Sequence, residues 1–384
     1  MVPIKLYFNY KDILISPRIA LSGKKIWTIL TGNLIGYLLY WVVSYLSLFL
    51  SEYNLVDSIN KFGLYPHIFN YGASSSSILV YSIGVFIWIA FIFISFTAVS
   101  RITLEELNGN YLFSISDAWI FSLKHWKTII FTPLTIIFII CILLIIAVLM
   151  TFMHFIPYAG SIIFTVLLPI IFIGSVFIIY TTFVLISSLI YGSAIIAAYE
   201  EDIMGTIFQS YSISWAQPWR VIIYNIIILI LTIIGVEAFS WFCLSGYGLI
   251  YLISNNSFIS GFNFNNVMSF SFELVFPNHI IDNILYLRSY ILNIDYNYFL
   301  IIHNIFEDRQ ATIEQISSLD FTNSILLSSF LFLILLSILS YWLSIFCVGQ
   351  TISFLIFKKL TDDDDILYRF RKNQIPDDFN QFSD

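Results

Sequence analysis

A single carboxylate stands inside an otherwise apolar run, Glu237 in Ile-Gly-Val-Glu-Ala-Phe-Ser. At membrane depth a carboxylate is costly to hold, and where one occurs it commonly serves a proton, an ion or a polar substrate. Ser240, three residues on, shares a helix face with Glu237, and Ser245 flanks that face further along, with Leu244 between them. The polar strip is narrow and broken, and it could line an outward-opening cavity. The plainer reading is that Glu237, about two turns from the end of its apolar run, snorkels to the headgroups or bonds a neighbouring helix. Asn33 and Asn225 fit interhelical hydrogen bonds. His279 and Asp282, with His303, have a spacing that could hold a metal, but such pairs are too common for a metal to be expected. The chain has no GxxxxGK[ST], GxGxxG or HExxH pattern and no Cys/His zinc spacing, which argues against an ATPase or a metalloprotease. No cofactor and no catalytic residues are expected.

The elements around Glu237 are those of a membrane. Of 384 residues 59% are apolar and only 11% charged, and mean hydropathy is +0.88. Soluble chains carry about 25% charged residues. Apolar runs long enough to cross a bilayer predict an all-α integral membrane protein with six spans, near 26–50, 78–99, 129–150, 162–191, 221–244 and 325–348. The fourth holds Pro169 and Gly174 and is too long to cross upright, so it should tilt, kink or run on past the bilayer; the sixth could likewise run on to Phe357. The first 25 residues lack the pattern of a removable signal, so the first span is expected to be retained. Cys141, Cys243 and Cys347 read as small buried thiols, not as a disulfide framework.

Charge sets the expected orientation. With six spans, 14 of the 17 Lys and Arg fall on the side that holds both termini, leaving Lys61, Arg288 and Arg309 opposite. Basic residues favour the cytoplasmic side, so both termini are expected there, in a cell membrane. The net charge of −7 gives no reason to expect a nucleic-acid partner. On the same side lies Tyr199–Arg220. Its Ile203, Ile207, Tyr211 and Trp215 recur every four residues, with Gln209, Ser210, Ser212 and Gln217 elsewhere around the helix. Glu200, Glu201 and Asp202 suit a helix start, and Pro218 stops the helix before Trp219 and Arg220 open the fifth span. This predicts an amphipathic helix at 203–217 lying in the interface.

The device recurs. Residues 114–127 place Trp119, Leu123 and Trp126 on one face behind a Ser/Asp start, and run through Lys127 into the third span. A weaker copy is Lys24-Lys25-Ile26-Trp27, after the part-amphipathic Asp12–Leu21. The pattern predicts three helical hairpins, each led by a cytoplasmic interfacial helix; chance clustering of Trp and Lys at interfaces is the competing explanation. The domain plan is then a cytoplasmic segment at 1–25, a five-span core at 26–253, an extracytoplasmic segment at 254–323, the sixth span at 324–357 and an acidic tail at 358–384. In the outer segment GFNFNN and SFSFEL alternate as short extended pieces do, and Ile280–Leu292 could form an amphipathic helix. Gly32-x-x-x-Gly36 suits close helix packing. Lys358 and Lys359 would meet headgroups while Asp362–Asp365 stay in water.

This layout resembles a family of uncharacterised bacterial multi-pass proteins, and is similar to the membrane domains attached to some glycerophosphodiester phosphodiesterases. The resemblance rests on Ile156-Pro157 with Gly160, Glu200–Asp202, Ser210-Tyr211-Ser212, Pro218-Trp219-Arg220, and Phe357-Lys358-Lys359 with Asp362. It covers about residues 100–225 and 350–366, and departs where Gln209 and Gln217 replace expected bases. The sequence contains no phosphodiesterase domain, so the resemblance implies a membrane architecture without that activity. The resulting expectation is a non-enzymatic envelope scaffold or accessory subunit of a bacterial inner membrane, touching lipids through its interfacial helices and a protein partner through 254–323. The alternative is a transporter or lipid conduit built around Glu237.

Overall fold

A computed structural model of the chain describes residues 6–51, 54–68, 74–152, 159–254, 264–276 and 318–369. The described residues form helices and no strands: α1 (Tyr10–Ile13), α2 (Ser16–Ala20), α3 (Gly23–Leu50), α4 (Leu55–Phe62), α5 (Ser75–Leu107), α6 (Ile115–Lys124), α7 (Trp126–Phe152), α8 (Gly160–Tyr199), α9 (Ile203–Ala216), α10 (Pro218–Ser254), α11 (Phe264–Val275) and α12 (Ser318–Asp362). Six of them, α3, α5, α7, α8, α10 and α12, are long and apolar enough to cross a membrane. Their Ile, Val and Phe are only middling helix formers. In lipid, however, every unsatisfied backbone N–H is so costly that the helix is imposed. Hydroxyls within the spans mostly bond back to a carbonyl one turn earlier, as Thr28, Thr97 and Thr232 do. The helices overrun the apolar runs: α5 continues to Leu107, and α8 is one helix of 40 residues with Pro169 inside it.

The chain forms two compact units, and α3, α5, α10 and α12 each contribute residues to both. The first comprises 1–33, 89–233 and 341–384. Within it α7 and α8 pack together, and α9 packs against both of them. The N-terminal segment, which reads as a cytoplasmic lead, is built into this unit: Asp12, Ile13, Ser16, Ile19 and Ala20 are buried. A helix end leaves unpaired carbonyls, and side chains meet those of α2. Tyr341 donates to the Pro17 carbonyl, Ser344 to Ala20 and Lys25 to Ile19.

The second unit comprises 34–88 and 234–340. Tyr37, Tyr40 and Tyr45, spaced along α3, donate to the carbonyls of Leu64, Pro66 and Gly63. Three phenols thus fasten the turn after α4, where Gly63 takes the left-handed conformation (φ 51°) that other residues avoid. Tyr65 in that turn donates to the Val275 carbonyl at 2.7 Å.

Three expectations are corrected here. From residue 264 on, the stretch read as extended pieces is the helix α11, because Val267, Met268, Ser271, Phe272 and Val275 are buried at helical spacing, and Met268, Phe272 and Val275 pack with Tyr247 and Leu331; residues 261–263 lie outside the described residues. That packing overrides the local alternation of Phe. The thiols are not uniformly buried: Cys141 is exposed, Cys243 intermediate and Cys347 buried. The Ser/Asp start read at Ser116–Asp117 lies two residues too late: α6 begins at Ile115, capped by Ser114, which accepts from the Asp117 amide. His279, Asp282, Ile280–Leu292, His303, Ile156 and Pro157 lie outside the described residues.

Candidate functional site

In the first unit the ends of α5, α8 and α9 bring together charges that lie far apart in the chain. The acids at 200–202 each have a distinct task. Asp202 caps α9 by accepting from the Gly205 amide at 2.9 Å. Glu201 accepts from Gln209, one of the glutamines standing where a base was expected. Glu200 ends α8 in the left-handed conformation, φ 56°, which costs a non-glycine residue about 1 kcal/mol or more.

Arg101 holds that strained end. Its Nη1 donates to the Ala197 carbonyl and to Glu200, both at 3.0 Å, and its Nε lies 3.4 Å from Glu105. The guanidinium also sits 4.6 Å from the Phe121 ring centre. One side chain therefore ties α5 to α6 and to the C-terminus of α8, where a cation also meets the negative end of the helix dipole. Lys25 is wholly buried; it pairs with Glu106 at 2.5 Å and donates to the Ile19 carbonyl at 3.1 Å. Lys24 donates to the Tyr111 and Phe113 carbonyls. Counting basic residues treats these three as charges facing headgroups, whereas each is spent on an internal contact.

In the described part of the tail, to residue 369, the bases are likewise paired with neighbouring acids. Lys358 pairs with Asp362, Lys359 with Asp363 and Arg369 with Asp364, and the Lys359 ammonium holds the Asp363 carboxyl below its ordinary value. Tyr199 donates to Asp364 with Arg369 over its ring. Gln217, the second glutamine in place of a base, donates to Thr361, and Arg220 donates to Gln217 while lying 4.8 Å over the Trp219 ring. Pro218 is the first residue of α10, as its missing N–H favours.

The helices read as interfacial have two apolar faces rather than one. The buried face of α9 is Thr206, Ile207, Ser210, Ile213 and Ser214, of which Thr206, Ser210 and Ser214 are small enough to allow close approach to α7 and α8. Ser210, read as lying off the apolar stripe, is therefore buried together with Ile207 of that stripe. Ile207 packs with Ile136 and Val184. Met204, Phe208 and Trp215 point outward, Trp215 being 78% exposed while its ring edge meets Tyr180. Trp126, Lys127 and Trp219 are exposed. Trp119 is not part of an exposed belt: it packs with Ile94, Ile129 and Ile196, against the site of Gly32.

In the second unit Glu237 is half-buried. Ser240 turns back to donate to the Glu237 carbonyl at 3.0 Å, and Ser245 is exposed beside the buried Leu244. In the first unit Asn225 donates to Tyr191 at 2.8 Å and accepts from Gln350, the interhelical bonding its type implied. No group of three or more His, Cys, Asp or Glu that could hold a metal occurs among the described residues. Arg101 and Glu106 at the end of α5 are thus paired with Glu200 after α8 and with Lys25 of α3, and Lys358 and Lys359 with the acids that close α12, an arrangement that fixes helix ends. Comparison with known protein families, curated proteins and solved structures finds no match to this chain.

Proposed function

We propose that this chain is a non-enzymatic scaffold or accessory subunit of a bacterial cytoplasmic membrane. Its α6 and α9 lie in the inner interface, and a protein partner binds through 254–323. In this reading the six spans form three hairpins, each led by an interfacial helix, and both termini face the cytoplasm. The carrying observation is the two-faced α9: one side is packed on α7 and α8, while Met204, Phe208 and Trp215 are turned outward beside the Trp219–Arg220 pair. An apolar stripe flanked by aromatic and basic residues is what the headgroup boundary favours.

The test is depth-resolved quenching of a variant retaining only Trp215, in vesicles brominated at shallow or deep acyl positions. Strong quenching by the shallow bromines is expected. Emission typical of water and insensitive to bromine at either depth would sink the interfacial reading. The alternative, a conduit at Glu237, draws on that half-buried carboxylate in a span.

A further inference from the structure

We propose that a pocket between α5, α7 and α8 seats the free hydroxyl of an uncharged membrane amphiphile, of the diacylglycerol or long-chain alcohol class. This goes beyond the interfacial-helix reading and stands or falls separately from it. Phe93 of α5, Thr132 and Pro133 of α7, and Ser188, Gly192 and Ser193 of α8 surround the pocket. Counted out to its mouth it encloses about 290 Å³, and its enclosed part admits a group of only a few heavy atoms.

Three polar groups at this pocket lack ordinary partners. Thr132 and Ser188 are 2% and 4% exposed, yet neither hydroxyl has a hydrogen-bond partner. Most hydroxyls in the spans bond back to their own helix; these two, like Ser44, Ser187 and Ser353 elsewhere, do not, and both residues line this one pocket. Pro133 has no N–H, which deprives the Ile129 carbonyl, also at this pocket, of its usual helical donor. An occupant offering one O–H donor and an oxygen acceptor answers all three. No lining residue is charged, so an ionic headgroup would be buried without a counterion, and the occupant's contacting part is neutral.

Gly192 supplies the second argument. Glycine is a poor helix former, and in a buried helix its usual reason is close packing by a neighbour. Here a β-carbon on Gly192 would meet nothing within 4 Å, although the residue is buried. The missing side chain leaves a space rather than a contact. The other walls are apolar, Leu189 at the pocket is partly exposed, and the pocket lies within apolar helices, so a ligand reaches it from lipid.

The full chain in nanodiscs is labelled with a photoreactive, alkyne-tagged diacylglycerol and, in parallel, with the same lipid whose free hydroxyl is acetylated. The expected result is labelling of α7 or α8 peptides by the free hydroxyl form, about tenfold over the acetylated form, as loss of hydrogen bonds at a dry site implies. Gly192→Leu, whose β-carbon would meet nothing within 4 Å, puts bulk into the space and should reduce labelling to the acetylated level while the protein still melts cooperatively. Thr132→Val, equal in size and lacking only the hydroxyl, carries the same test should the leucine variant fail to fold. Equal labelling by the acetylated lipid would reduce the site to an acyl groove and overturn the proposal. So would labelling indifferent to both substitutions, or no labelling by either lipid, which would leave water as the partner of the two hydroxyls.

Discussion

Gly32 lies so close against Ser95 that a β-carbon on the glycine would sit 2.7 Å from the Ser95 Cβ. The Trp119 ring, 3.1 Å from the same point, closes the third side. The glycine is therefore the place where α3, α5 and α6 meet, and its partner in the small-xxx-small pattern is not needed to explain it. Gly32→Ala should destabilise the first unit by about 1–3 kcal/mol through overpacking, read as a lowered melting temperature in mild detergent. Adding Ser95→Gly should restore most of the loss. A Gly32→Ala protein that melts with the wild type would remove the contact from the account.

Lys25 and Glu106 form a buried pair, and removing one member should cost more than removing both. Glu106→Gln leaves the Lys25 ammonium without its counter-charge at a wholly buried position, with an expected loss of about 3–5 kcal/mol. The double substitution Lys25→Met, Glu106→Leu replaces the pair by apolar volume and should lie well above the single variant in thermal stability. The reverse order would mean that the pair is effectively solvated.

Arg101 is expected to resist conservative replacement. Lysine cannot serve the Ala197 carbonyl, Glu200 and the Phe121 face at once. Arg101→Lys should raise amide hydrogen exchange at the end of α8 and the start of α9 by about tenfold, corresponding to about 1.4 kcal/mol of local opening. Unchanged exchange there, with an intact fold, would show that the left-handed Glu200 is held by something else.

Tyr65 gives a pH signature to the second unit. Burial pushes its phenol up to about 12 from an ordinary value of 10.0. The folded state thus holds this proton more tightly than the unfolded state does. Its contribution is fully present below pH 10 and is lost as pH rises towards 12. Tyr65→Phe loses the bond to Val275, about 1 kcal/mol, and should show a shallower decline of stability than the wild type across that alkaline window. Parallel curves would refute the assignment.

Glu237→Gln separates the two readings of function. Transport of a polar solute or lipid in reconstituted vesicles, abolished by this change, would favour the conduit. Flux that is equal in wild type and variant would leave Glu237 with a packing role only.

The features legible in the sequence were those with local causes. Apolar length marks all six spanning helices, and Asp202 and Pro218 mark the two ends of α9 because capping and a missing N–H act within one turn. The roles of Arg101, Lys25 and Glu106 were hidden, since a charge count does not record partners 81 or 99 residues away. Ser210 looked like part of a polar face, yet in α9 its smallness, like that of Ser214, matters more than its hydroxyl, and both hydroxyls bond back to their own helix. The Phe alternation around 264–275 was a strand signal locally and a helix in context, because α11 buries its side chains at helical spacing against residues far along the chain. The pocket had a faint sequence trace in Pro133 on one span and Ser188, Gly192 and Ser193 on the next, but only the three-dimensional arrangement leaves Thr132 and Ser188 unpartnered.

The bonds from Tyr341 and Ser344 to Pro17 and Ala20 each close a loop of 324 residues. During synthesis, α2 emerges early and waits without these two side-chain donors until the last long helix has been made and inserted. Completion of the first unit is therefore a late event in biogenesis, gated by the arrival of α12. A ribosome stalled before residue 341 would leave a chain with five spans in place and its opening segment undocked, a state that quality-control proteases could recognise by the exposed residues 12–20.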